Sequence, residues 1–303
     1  MASEDISLKR YGAGIVSGLL VGFVCAPGFG QGVTGQEPSP EGIVARRLSA
    51  PPTVASPRKA TSPARTRLVL VSKKANEITD DAAWFTRTGV ESLDLRFGAA
   101  SPEDYGDLPR GAKMTYEGLR LQRALNTVKT GTNRFLAIYG EDYASKRYLV
   151  CTDGLSGETI YALDFFNYRS PGNSKAASVQ QSIGFASEDN TGTLFVSNGI
   201  SGYAKEARGK TAYVTALEPK TGKLLWRSGP LTQNASALVD AGDVLICGYG
   251  FTDEPDFLYV LDKRTGRKLQ TLPLKSGPSV ILRKGERVYV RCYDTDYVFA
   301  IKR

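Results

Sequence analysis

The sequence predicts an all-β protein: a small β-propeller of about five blades, within a bracket of four to six, each a four-stranded antiparallel sheet. Three observations predict it. The stretch Thr211 to Pro230, TAYVTALEPKTGKLLWRSGP, reads strand, tight turn, strand. Tyr213, Thr215 and Leu217 alternate with Ala212, Val214 and Ala216 at strand period, and Glu218-Pro219-Lys220-Thr221-Gly222 supplies turn chemistry before Leu224-Leu225-Trp226 restarts a strand. The ending of that first strand recurs as Tyr161-Ala162-Leu163-Asp164, Thr215-Ala216-Leu217-Glu218, Tyr259-Val260-Leu261-Asp262 and Phe299-Ala300-Ile301-Lys302, with its last position spaced 54, 44 and 40 residues apart. Each copy also follows a short apolar strand, at Tyr148–Cys151, Thr193–Val196, Val244–Cys247 and Val288–Arg291. The plainer alternative is an antiparallel sandwich with similar turns by chance.

Taken in order, residues 1–30 read as a signal peptide or signal anchor. Lys9-Arg10 precede an apolar, glycine-rich run whose core, Ile15 to Cys25, has the length of a secretory h-region. It falls short of the ~20 apolar residues of a comfortable membrane span. The expected location is therefore secreted or periplasmic, the alternative being anchorage to the membrane by residues 11–30. Residues 31–66 carry Pro at 38, 40, 51, 52, 57 and 63 among Ser, Thr, Ala and Gly, and read as a disordered Pro/Ser/Thr-rich basic linker.

From Ile43 to Lys74 there are eight cations and no acid, and the whole chain is +8, so the remainder sums to zero. This stretch reads first as a solubilising spacer, and otherwise as a contact for an anionic surface. Nucleic acid is not expected, because stacking aromatics are absent from the tail.

Residues 67–303 form the repeat domain. Leu68-Val69-Leu70-Val71 opens it as a short strand. The stretch 75–113 matches no repeat and is either a divergent blade or an insertion, while Leu119, Leu121, Leu125 and Val128 leave a short helix or a loop open for 114–127. The last copy has no outer strand of its own, and an unpaired edge invites aggregation. The expectation is that Leu68–Ser72 completes the last blade as its outer strand.

Chemistry-bearing residues are sparse. The chain contains no histidine, which removes Ser-His-Asp and Cys-His machinery and His-ligated metals. Cys25 lies in the signal-like run, and Cys151, Cys247 and Cys292 sit near strand ends as small buried hydrophobes, with no CxxC pair for zinc. The carboxylate groups Asp80-Asp81, Glu188-Asp189, Asp253-Glu254 with Asp256, and Asp294 with Asp296 read as solvated turn residues, without calcium-loop spacing. No catalytic, cofactor-binding or metal residue is assigned and no cofactor is expected. Tyr143, Phe166, Tyr168, Tyr203, Tyr249, Phe251 and Tyr293 form a supply of aromatics that would suit sugar rings or strand pairs.

The run VTALEPKTGKLLWRSG resembles the repeat of the quinoprotein-dehydrogenase-like (PQQ-like) β-propellers, ALD-x-x-TG-x-x-x-W. The next copy, from Leu261 to Leu269, matches through Gly266 and carries Gln270 at the Trp226 position; the first copy keeps Tyr161-Ala162-Leu163-Asp164 and lacks the TG turn. The resemblance covers roughly 133–303. It implies that Trp226 is a wedge between neighbouring blades and that the chain is a non-catalytic member. The family's quinone-dependent dehydrogenases typically have eight blades, a catalytic Asp, a calcium site and often a vicinal disulfide, and here no two cysteines are adjacent.

The function expected is thus an extracytoplasmic binding or scaffold module for a protein partner in the cell envelope. Blade-connecting loops such as Gly199–Gly209 and Gly250–Phe257 would form the contact surface. The alternatives are a glycan- or small-molecule-binding propeller and, behind them, a quinone-dependent dehydrogenase.

Overall fold

A computed structural model describes residues 43–52, 64–76, 81–88, 111–126, 134–172 and 177–303. The signal-like segment 1–30, with Cys25 and the anchor alternative, lies outside the described residues, as do 31–42 and 53–63 of the expected linker.

The fold is all-β, and its four main sheets are antiparallel apart from one short parallel pair. Sheet II is the plainest. Its strands β10 (Ser182–Glu188), β11 (Leu194–Gly199), β12 (Tyr213–Glu218) and β13 (Lys223–Arg227) lie side by side in chain order. The predicted Glu218–Gly222 turn joins the last two, with Gly222 at φ 71° and its N–H on the Glu218 carbonyl. Sheet III repeats the plan with β14 (Val239–Asp240), β15 (Val244–Tyr249), β16 (Phe257–Asp262) and β17 (Lys268–Pro273).

Sheet IV contains β18 (Pro278–Lys284), β19 (Arg287–Cys292), β20 (Thr295–Lys302) and, as its fourth strand, β2 (Arg67–Ala75). Leu68 faces Ile301 and Leu70 faces Phe299 in antiparallel register, so the N-terminal strand completes the last repeat as expected. Sheet I has six strands. β5 (Arg134–Gly140), β6 (Lys146–Asp153) and β7 (Thr159–Asp164) carry the first repeat, β4 (Leu119–Asn126) and β3 (Thr115–Tyr116) extend one edge, and β1 (Arg46–Arg47) lies parallel to β7 on the other. A small hairpin, β8 (Arg169–Pro171) and β9 (Ser178–Gln180), connects sheets I and II.

Four sequence expectations change here. The described residues hold four such sheets, the lower bound of the expected range. The stretch 75–113, left open as a divergent blade or an insertion, contributes a short helix, α1 (Asp81–Thr88), and no four-stranded sheet among the described residues. Residues 119–126 are strand β4, because Leu121 and Leu125 bury against sheet partners that override their helix-like spacing. The linker assignment fails at 43–52. Leu48 is only 3% exposed, its N–H bonds the Asp164 carbonyl at 3.0 Å, and Arg47 Nε reaches Asp164 Oδ2 at 2.9 Å. One leucine in a long core slot and one ion pair on a sheet edge suffice to dock a segment of otherwise linker-like composition.

Successive sheets meet through side chains of their outer strands. Trp226 on β13 is 2% exposed, donates from Nε1 to the Lys263 carbonyl at 2.9 Å, and lies flat on Gly266 in the turn of sheet III. A Cβ on Gly266 would sit 2.4 Å from the indole. Leu48 does the same one sheet earlier, where a Cβ on Gly222 would meet its Cδ2 at 2.8 Å. Gln270, at the Trp226 position of sheet III, takes the Leu68 N–H at 2.6 Å and donates to the Leu68 carbonyl at 3.2 Å.

Two large cores result. One spans sheets I to III, with Leu136, Leu163, Phe195, Trp226 and Leu261; the other joins sheets III and IV, with Ile246, Val260, Ile281 and Phe299. The remaining faces of the two end sheets are covered separately. Trp84 of α1 packs on Leu282 of sheet IV, and Met114 and Tyr116 pack against sheet I. Arg123 of β4 donates to the Gly184 carbonyl at 2.7 Å and to the Ser236 carbonyl at 3.0 Å, tying sheet I to β10 and to the segment that leads into β14.

Candidate functional site

The two loops expected to form a contact surface interlock. The first follows β11 and contains a 3-10 turn at Ala204–Ala207; the second joins β15 to β16. Ala204 N–H donates to Glu254 Oε1 at 2.8 Å, and the other oxygen of that carboxylate accepts the Tyr249 hydroxyl. Tyr203 and Phe251 stack edge to face with centroids 4.7 Å apart. Asn234 fixes the base of the second loop, donating to the Gly250 carbonyl at 2.8 Å and accepting its N–H at 3.1 Å. Gly250 is required there, since a Cβ would meet Gly277 Cα at 2.4 Å.

Phe251 remains 40% exposed on this base. Lys205 Nζ lies 5.0 Å from the centre of the Tyr203 ring. The platform therefore offers an aromatic edge flanked by Lys205, Asp253 and Glu254. Beside it, burial and the charges of Asp294 and Glu254 raise the Asp256 pKa above the usual carboxylate range. The Lys275 ammonium, 2.7 Å from Asp294, holds that carboxyl down at about 2.

A second feature is a cleft of about 400 Å3 between sheets I and II, lined by Arg134, Tyr161, Glu188, Thr191, Glu218 and Lys220 among others. Its floor is the Glu188 carboxylate, which accepts the Tyr161 hydroxyl at 3.0 Å and lies 3.9 Å from Arg134. Burial pushes the Tyr161 phenol well above its ordinary pKa, so it stays protonated as a donor. Cys151 behind it is pushed up to about 12, again by burial, and is an inert thiol at neutral pH. The cleft can hold a small polar molecule between opposite charges, without an aromatic platform because the Tyr161 ring is buried.

Several residues fall elsewhere than the sequence suggested. Glu188 and Asp189 are not solvated. Asp189 takes the Thr191 and Thr193 N–H groups and pairs with Lys263 of sheet III at 3.1 Å, so the turn it caps is itself a seam between sheets. Glu254 is the link between the two loops, and Asp294 and Asp296 are ion-paired with Lys275 and with Arg87 and Arg291. Asp253 stands exposed at φ 64°. Asp80 lies outside the described residues, and no group of potential metal ligands occurs among those described.

Of the aromatics, Tyr143, Phe166, Phe251 and Tyr293 are exposed, whereas Tyr168 and Tyr249 are buried, the first against Phe165 and Arg227. Phe166 is clasped by the Arg47 and Arg147 guanidiniums, each 4.7 Å from its ring centre. Cys151, Cys247 and Cys292 are buried, as expected, and each is a free thiol.

Sequence reading missed the buried cations. Arg123, Lys146, Arg227 and Arg291 are each at most 5% exposed. Arg227 lies 3.8 Å from the Tyr213 ring centre and donates to Gln181 Oε1 at 2.7 Å. Arg227 directly follows Trp226 in the anchoring strand, which is the only hint the sequence offers.

No family model matches the chain, and no curated protein is significantly similar to it. Among solved structures, the computationally designed Ika4 protein aligns over 57% of this chain and 88% of its own, at 17% identity and a TM-score of 0.34. Sqt1 of Saccharomyces cerevisiae aligns over 61% of this chain and 47% of its own, at 10% identity and a TM-score of 0.44. The chain thus spans about half the length of Sqt1.

Proposed function

We propose that this chain is a small β-propeller of the PQQ-like type that acts outside the cytoplasm as a binding module for a protein partner in the cell envelope. The observation that carries the reading is the interlocked platform. Tyr203 and Phe251 come from loops of different sheets and are braced by Glu254 and Asn234. An aromatic pair on a rigid base loses little entropy on binding, which favours it as an anchor for a partner. The ALD-type endings and the Trp226–Gly266 contact support the propeller component.

The test is in-cell crosslinking with mass spectrometry on the wild type and on a Tyr203→Ser/Phe251→Ser variant. A reproducible envelope protein is expected on the wild type and lost from the variant, with thermal stability retained. Retention of that partner by the variant would overturn the platform as the contact. A second reading, a small polar ligand, is favoured by the 400 Å3 cleft alone. Saturation-transfer NMR with sugars and amino acids, repeated on Glu188→Gln, tests it.

A further inference from the structure

Three outer strands in the series lean on the sheet that follows: β1 through Leu48, the residue after it, β13 through Trp226 and β17 through Gln270. The outer strand of sheet IV, β2, shows no such contact among the described residues. Apart from Leu68 and Ser72, every residue of β2 is exposed. Three consecutive apolar side chains stand in solvent, Val69 at 42%, Leu70 at 53% and Val71 at 51%. Soluble proteins protect apolar edge strands with bulges, charges or a covering segment, because the open backbone is a template for another strand.

The backbone of this edge is already used in part. The Leu68 N–H and C=O both engage the Gln270 side-chain amide, which shows that they point outward, away from β20. At strand period the N–H and C=O of Leu70 point the same way. A bulge between Leu70 and Ser72 follows.

We infer that the outer edge of β2 is a strand-addition site for an extended peptide segment with an apolar centre and acidic flanks. Charge selects that occupant. Arg67 stands at one end of the apolar run and Lys73 and Lys74 at the other, all exposed, with no acid in β2. A second copy fits poorly. Antiparallel pairing centred on Leu70 would set Arg67 opposite Lys73, and like charges directly opposed weaken a strand pair. Main-chain hydrogen bonds to the Leu70 edge would give affinity, Val69 and Val71 would meet alternate apolar side chains, and the basic ends would set the preference for Asp and Glu. This site is separate from the Tyr203–Phe251 platform and stands or falls without it.

The test uses the full chain and a fluorescent peptide, Asp-Glu-Val-Thr-Val-Thr-Val-Glu-Asp, read by anisotropy. Saturable binding is expected. Affinity should fall about tenfold or more, a loss of ~1.4 kcal/mol, when alternate peptide nitrogens are methylated and when Leu70→Pro removes the edge N–H. The double variant Lys73→Glu/Lys74→Glu should bind the acidic peptide about tenfold more weakly and gain affinity for a Lys-flanked peptide. It keeps the backbone unchanged and decides the matter if Leu70→Pro fails to fold. Absence of binding, or equal binding of the methylated peptide, would overturn the proposal. So would sedimentation showing a wild-type dimer that the charge reversal tightens, which would make a second copy the occupant.

Discussion

Lys146 shows what a single buried charge does to this fold. It sits at the start of β6, 5% exposed, with Nζ 3.7 Å from the Tyr143 ring centre. Burial first, and then the nearby Arg123 charge, lower its pKa to about 8 against the opposing pull of Asp142. An unfolded lysine holds its proton to ~10.4. Between pH 8 and that value the unfolded chain binds more protons than the folded one, so stability rises with pH across the window. Below pH 8 both states are charged and the full burial cost is present. Lys146→Met should therefore stabilise the protein at pH 7 by ~1–2 kcal/mol, and the gain should shrink as pH passes from 8 to 10. Urea titrations at pH 7 and pH 9.5 measure this. An unchanged difference at the two values would show that the ammonium is not the source of the cost.

The same desolvation acts on Arg123 and Arg227, each lowered to about 10. Both remain charged at neutral pH. The Gly184 and Ser236 carbonyls hold the first, and Gln181 with the Tyr213 ring holds the second. These groups were illegible in the sequence. An arginine in an alternating strand reads as the solvent face, and only the arrival of a second sheet turns that face inward.

Among the elements, the contact between β13 and the next turn is the joint that the sequence announced most clearly. Trp226→Ala should cost ~3–5 kcal/mol as a core truncation. Gly266→Ala should be costly for two reasons. Its φ of 73° strains any side chain, and its Cβ would strike the indole. The left-handed conformation alone costs ~1–2 kcal/mol. In a Trp226→Ala background the collision disappears and only the conformational cost remains. The double variant should thus be less destabilised than the sum of the single ones, by about 1 kcal/mol or more. Strict additivity in urea would show that the two groups do not meet.

Leu48 and β1 are the counterpart the sequence did not announce. The first repeat lacks a TG turn and so has no outer hairpin strand, and a two-residue parallel strand from upstream fills the gap. Burial of one leucine between the sheet I edge and Gly222 was not readable from a segment rich in Pro, Ser and Arg. The last repeat was easier. It lacks an outer strand of its own, and the apolar strand Leu68–Val71 fills that place.

At the scale of the molecule, both sheets that lack their own outer strand are completed from the N-terminal part of the chain, β1 on sheet I and β2 on sheet IV. A chain beginning at residue 64 keeps β2 and loses β1. It should fold but expose the edge of β7 and the Leu48 slot. Hydrogen exchange should then quicken in Thr159–Asp164 while Thr295–Lys302 keeps its protection. The cost should be ~2–4 kcal/mol, the scale of losing one buried leucine. Loss of protection in both sheets would mean that the two N-terminal strands act as one unit.

The all-β class, the repeat spacing, the turn glycines, the burial of Trp226 and the pairing of Leu68–Val71 with the last repeat were legible in the residues alone. These are properties of short windows or of recurrence, where strand period, turn chemistry and a missing partner are written locally. The burial of Glu188 and Asp189 at a seam, the docking of Leu48, the meeting of Tyr203 with Phe251 and the place of β4 in sheet I came from the folded chain alone. Each of these depends on which residues a second sheet brings within a few ångströms, and no window of sequence encodes that distance.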